Sequence, residues 1–94
     1  SSFVTGETGR EHDFSLDSPV RLYVDNFQFI NDGDGDIKIE IYDLADSAYG
    51  SQITIKGKTN SATGVGEIFE TINLRIKKVR LTWVADSAYR VIAH

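Results

Sequence analysis

The stretch Asn31-Asp-Gly-Asp-Gly-Asp-Ile-Lys-Ile-Glu-Ile-Tyr-Asp43 carries two signals at once. Its first half clusters three aspartates with two glycines; its second half alternates isoleucine with Lys38, Glu40 and Tyr42. Alternation with period two is the mark of a strand with one buried face. The aspartate cluster invites comparison with a calcium loop. An EF-hand needs oxygen ligands at positions 1, 3 and 5, glycine at 6 and a bidentate glutamate at 12. Counting from Asp32, the first three are met by Asp32, Asp34 and Asp36, but position 6 is Ile37 and position 12 is Asp43. Phe29-Ile30 closes one apolar run and Ile37 opens the next, so Asn31–Asp36 is read as a solvated hairpin loop. Three neighbouring carboxylates repel one another, which leaves Asp32, Asp34 and Asp36 as a candidate site for weak Ca2+ and no other cofactor.

Working outward, the same alternation recurs. Val20, Leu22 and Val24 alternate with Arg21, Tyr23 and Asp25, and the phase then flips so that Phe27 and Phe29 take the apolar positions; a bulge at Asp25-Asn26 would account for the flip. Ile53 and Ile55 mark another strand, as do Val79, Leu81 and Trp83, with Trp83 in core phase. Phe14 and Leu16 are in strand phase near the N-terminus, and Tyr89 with Val91 near the C-terminus. Between Gly66 and Ile76 the isoleucine spacing suits either a helix face or a strand; a short strand at 67–70 with an irregular connection is expected. The connections are rich in Gly, Asn, Asp and Ser. The reading is all-β: one antiparallel β-sandwich or jelly-roll-like domain over 1–94, of about seven to eight short strands, with 1–12 as an extended arm. The pentapeptide Ala-Asp-Ser-Ala-Tyr occurs at 45–49 and again at 85–89, each time between alternating segments, and is read as a repeated strand–turn–strand corner.

Composition narrows function by exclusion. The chain has 94 residues, no cysteine and a net charge of −4, which removes disulfides and thiolate metal sites and speaks against nucleic acid as main partner. No apolar run is long enough for a membrane span. The charge is uneven: residues 1–47 hold 11 acidic and 3 basic side chains, residues 48–94 hold 3 and 7. Either complementary faces steer association, or strands from both halves interleave and mix the charges. His12 and His94 are the only histidines, and no serine lies in a strained elbow, so no enzyme activity is expected. A binding role rests on outward aromatics: Tyr23 and Tyr42, flanked by Arg21 and Lys38, are the candidate interface, on the premise that their strands form one hairpin. Lys56, Lys58, Lys77, Lys78 and Arg80 form a basic patch or protect strand edges.

The turn-rich strands and the closing stretch KKVRLTWVADSAYRVIAH, residues 77–94, resemble the small β-sandwich proteins of tailed-bacteriophage virions, of the head-decoration, cement or fibre-associated type. The resemblance implies a non-enzymatic assembly role: binding to a capsid or tail lattice, often as a homo-oligomer, with the virion as location. An extracellular carbohydrate-binding or calcium-assisted ligand module is the alternative, with a glycan as partner.

Overall fold

The computed structural model describes residues 2–3, 8–14, 22–85 and 87–94. Its elements among the described residues are the strands β1 (Ser2–Phe3), β2 (Thr8–Asp13), β3 (Phe27–Asn31), β4 (Ile37–Tyr42), β5 (Ile53–Ile55), β6 (Ile68–Thr71), β7 (Lys78–Trp83) and β8 (Ser87–Ala93). Six of them have four residues or more; β1 and β5 have two and three. They form two four-stranded antiparallel sheets, ordered β1-β8-β3-β6 and β2-β7-β4-β5.

The alternating sequences dictate which faces are buried. In β4, Ile37, Ile39 and Ile41 are buried while Lys38, Glu40 and Tyr42 are partly exposed; β7 repeats this with Val79, Leu81 and Trp83. The two runs lie side by side, Ile39 opposite Leu81 and Ile37 opposite Trp83. Phe27, Phe29 and Tyr89 of the other sheet belong to the same core cluster. Phe29 and Tyr89 stack at 5.3 Å, and Trp83 meets Tyr89 across the sheets at 6.1 Å. A buried side chain of this size contributes about 1.5–3 kcal/mol, so these few rings and isoleucines supply the main cohesion between the sheets.

Three expectations need correction. Asn31–Asp36 is not a hairpin loop, because β3 and β4 lie in different sheets and the segment crosses between them. Alternation specifies a buried face but not the neighbouring strand. The expected strand through Val20, Leu22 and Val24 is reduced to one bridge, Val24 with Ile76, and Leu22 is exposed; Val20 and Arg21 lie outside the described residues. The phase flip does fall at a bulge: the N–H groups of Asp25 and Asn26 both donate to the His94 carbonyl, so two residues oppose one just before β3. The two Ala-Asp-Ser-Ala-Tyr copies are not equivalent corners. The first is a turn, with Asp43 Oδ1 accepting from the Ala45 and Ser47 N–H groups and Asp46 at φ 62°, and its Tyr49 is 38% exposed. In the second, Ser87 to Tyr89 are already strand, Tyr89 is 3% exposed, and Asp86 lies outside the described residues.

Candidate interaction surfaces

The crossover after β3 is organised by Asn31, which is 2% exposed. Its Nδ2 donates to the carbonyls of Gly35 (2.8 Å) and Ile55 (2.9 Å); its Oδ1 accepts from Gly33 N–H (3.1 Å) and Ser87 Oγ (2.7 Å). One amide thereby uses both donors and both lone pairs, and links the crossover, β5 and β8. Gly66 passes directly over the Asn31 carbonyl, where a Cβ would overlap it. Nothing in the local sequence signals this role, since asparagine beside aspartate and glycine reads as turn chemistry.

That anchor sends the three aspartates to different partners. Asp32 accepts from Arg90 Nε and Nη2 at 2.7 and 3.1 Å, and the guanidinium bonds hold its carboxyl below the ordinary aspartate value. Asp36 accepts from Gly57 N–H and Asn60 Nδ2. Asp34 is exposed. Among the described residues no group of three or more His, Cys, Asp or Glu is placed to hold a metal ion. Asp34 and Asp36 do line an open cavity of about 380 Å³ with Thr59, Asn60 and Val84.

The outer face of the β2-β7-β4-β5 sheet carries Lys38, Glu40 and Tyr42 beside Thr82, Arg80 and Lys78. Tyr42 lies beneath two cations, Lys78 Nζ at 5.0 Å and Arg80 Cζ at 5.5 Å from the ring centre. Arg80 donates to Glu11 at 2.8 and 3.1 Å, and Lys78 lies 3.5 Å from the same carboxylate. The Arg80 hydrogen bond lowers the Glu11 carboxyl pKa, and Lys77 does the same for Asp46 at 2.9 Å. Each of these ion pairs, like Arg90–Asp32, joins an acid of the N-terminal half to a base of the C-terminal half. The charge asymmetry is therefore mixed inside one chain rather than displayed as opposed faces. Tyr23 lies outside this sheet, with Arg75 Cζ 5.1 Å from its ring centre, and Arg21 lies outside the described residues. The expected Tyr23–Tyr42 hairpin face thus resolves into two separate aromatic positions, each beneath cations of its own chain.

The other sheet is different. Cross-strand register puts Ile68, Ile30 and Arg90 in one outward row, and Glu70, Gln28 and Ile92 in the next. Ile68, Ile72 and Ile92 are 60%, 68% and 46% exposed. Beside them lies an open cavity of about 360 Å³, lined by Gln28, Glu70, Thr71, Ile72, Ile92 and His94 among others. Thr71 Oγ1 is buried and has no hydrogen-bond partner. Sequence reasoning missed this patch because isoleucine in a strand reads as core; only the strand order turns these three outward.

No family model, no curated protein and no solved structure matches the chain.

Proposed function

We propose that the chain is a non-enzymatic β-sandwich, jelly-roll-like assembly module of the virion decoration or cement type, docking on a capsid or tail protein lattice and meeting further copies of itself there. The supporting observation is the isoleucine patch on the outer face of the β1-β8-β3-β6 sheet. Exposed aliphatics grouped on one face lose water-contact free energy at about 25 cal/mol per Å2 when a partner covers them. By contrast, Lys78 and Arg80 beside Tyr42 already pair with Glu11 of the same chain. The resemblance of residues 77–94 to phage virion proteins supplies the setting. Co-sedimentation tests the reading: purified chain is mixed with virions assembled without it and pelleted. Saturable pelleting, lost in Ile72→Lys and Ile92→Lys, is expected; a chain that never pellets contradicts the reading.

The cavity lined by Asp34, Asp36, Thr59 and Asn60 favours a second reading, an extracellular calcium-assisted or glycan-binding module. Under it, calcium raises the melting temperature and Asp34→Asn removes the rise. No change between calcium and chelator counts against it.

A further inference from the structure

A sheet edge invites pairing unless something discourages it, and among the described residues three of the four edge strands are discouraged. β1 has two residues. β5 has three and is followed by Lys56 and Lys58. β2 reads Arg10-Glu11-His12-Asp13 and carries a register shift between Thr8 and Arg10. β6, with the sequence Ile68-Phe69-Glu70-Thr71, has neither shortness nor lysine nor a register shift.

The ladder shows which backbone groups β6 leaves open. Asn31 N–H donates to the Glu67 carbonyl, and hydrogen-bonded pairs in an antiparallel ladder recur every second residue. Phe69 and Thr71 therefore turn their N–H and C=O groups toward β3, while Ile68 and Glu70 turn theirs to the free edge. Glu67, in phase with Phe69 and Thr71, also turns away from the free edge: its N–H donates to the Lys56 carbonyl, and its Oε1 accepts from Lys56 N–H. An incoming strand has room from Ile68 onward.

Side chains specify what that strand carries. Along the outer face it meets Ile68, Glu70 and Ile72 in alternation. Glu70 has one weak neighbour, Gln28 Nε2 at 3.4 Å, and among the described residues no cation pairs with it, unlike Glu11, Asp32 and Asp46. A second copy entering with Ile68 opposite Ile72 sets Glu70 against Glu70, a like-charge pair that destabilises the sheet. We infer that the β6 edge takes an extended segment of a partner protein, added as a further strand, with a Lys or Arg opposite Glu70 and branched aliphatic residues two positions to either side. The inference rests on the docking reading above and names the form of the docking partner. The basic side chain lies toward the cavity beside Glu70 and Ile92.

The test is amide NMR titration of the folded chain with the peptide Thr-Ile-Thr-Lys-Thr-Ile-Thr and its counterpart with Glu for Lys. Saturable shifts confined to 68–72 are expected, with the Glu peptide about tenfold weaker, since the cross-strand contact passes from attraction to repulsion. In Glu70→Lys the preference inverts. Because the Glu70 side chain is exposed, that variant folds, and unchanged shifts elsewhere verify it. Absence of saturable shifts at millimolar peptide, equal affinity for both peptides, or shifts centred on another strand would overturn the inference. So would concentration-dependent broadening of the 68–72 amides without peptide, which would name a second copy as occupant. Pelleting with virions while the peptides fail refutes strand addition alone; failure to pellet refutes the docking reading.

Discussion

Asn31→Ala removes an amide that makes four hydrogen bonds between the crossover, β5 and β8. The carbonyls of Gly35 and Ile55 and the hydroxyl of Ser87 are left without that partner in a buried place, while the Gly33 N–H is only partly buried and can find water. At about 1 kcal/mol net per bond, with some added cost for buried groups left unsatisfied, the loss comes to about 3–5 kcal/mol. A domain of this size has about 5–14 kcal/mol in total. The melting temperature should therefore fall by roughly 15–25 °C. Trp83, the only tryptophan, is buried against Tyr89 and reports unfolding in urea. Asn31→Asp sharpens the test. It keeps the shape but points a carboxylate at two carbonyls, so burial raises the folded pKa of the introduced group above its unfolded value. The stability of that variant is then best at acid pH and declines as pH rises through the raised value. A loss below about 1 kcal/mol in Asn31→Ala, or no pH dependence in Asn31→Asp, would refute the anchoring role.

Other consequences follow from the same geometry. Gly66→Ala places a Cβ against the Asn31 carbonyl, a backbone atom that cannot swing aside, and should cost about 1–3 kcal/mol in urea unfolding. Glu11, Asp32 and Asp46 have folded pKa values held low by Arg80, Arg90 and Lys77. Their contribution is present above the unfolded carboxylate values, near pH 4, and is lost as pH falls through the lowered ones. Melting curves of the native chain should thus weaken in acid, and Asp32→Asn should flatten that limb. Tyr42→Ala removes a half-buried ring beneath two cations and should cost about 1 kcal/mol while leaving virion pelleting unchanged; loss of pelleting with the fold intact would return the interface to the tyrosine face.

What the sequence disclosed follows from the physics of a strand. The period of Ile37–Tyr42 and Lys78–Trp83 states which side chains face inward, and the core position of Trp83 could be read from it. Periodicity does not state which strands are neighbours, so Phe29 and Ile37 looked like two arms of one hairpin although they feed opposite sheets. Local composition was equally silent on Tyr49 and Tyr89, which end identical pentapeptides yet occupy surface and core. Asn31 was hidden among turn residues because its partners lie 24 and 56 positions away. The isoleucine face was hidden for a related reason. Aromatics stand out in a sequence as binding residues, whereas Ile68, Ile72 and Ile92 become a surface only once β6, β3 and β8 are known to be adjacent.

Amide hydrogen exchange of the virion-bound chain against the free chain tests the docking face most directly. The backbone groups of Ile68 and Glu70 face no neighbouring strand in the free chain, so exchange at Ile68, Glu70 and Ile72 should slow markedly on binding, with Lys38 to Tyr42 unchanged. Unaltered exchange at those three amides in the bound chain would contradict docking through the isoleucine face.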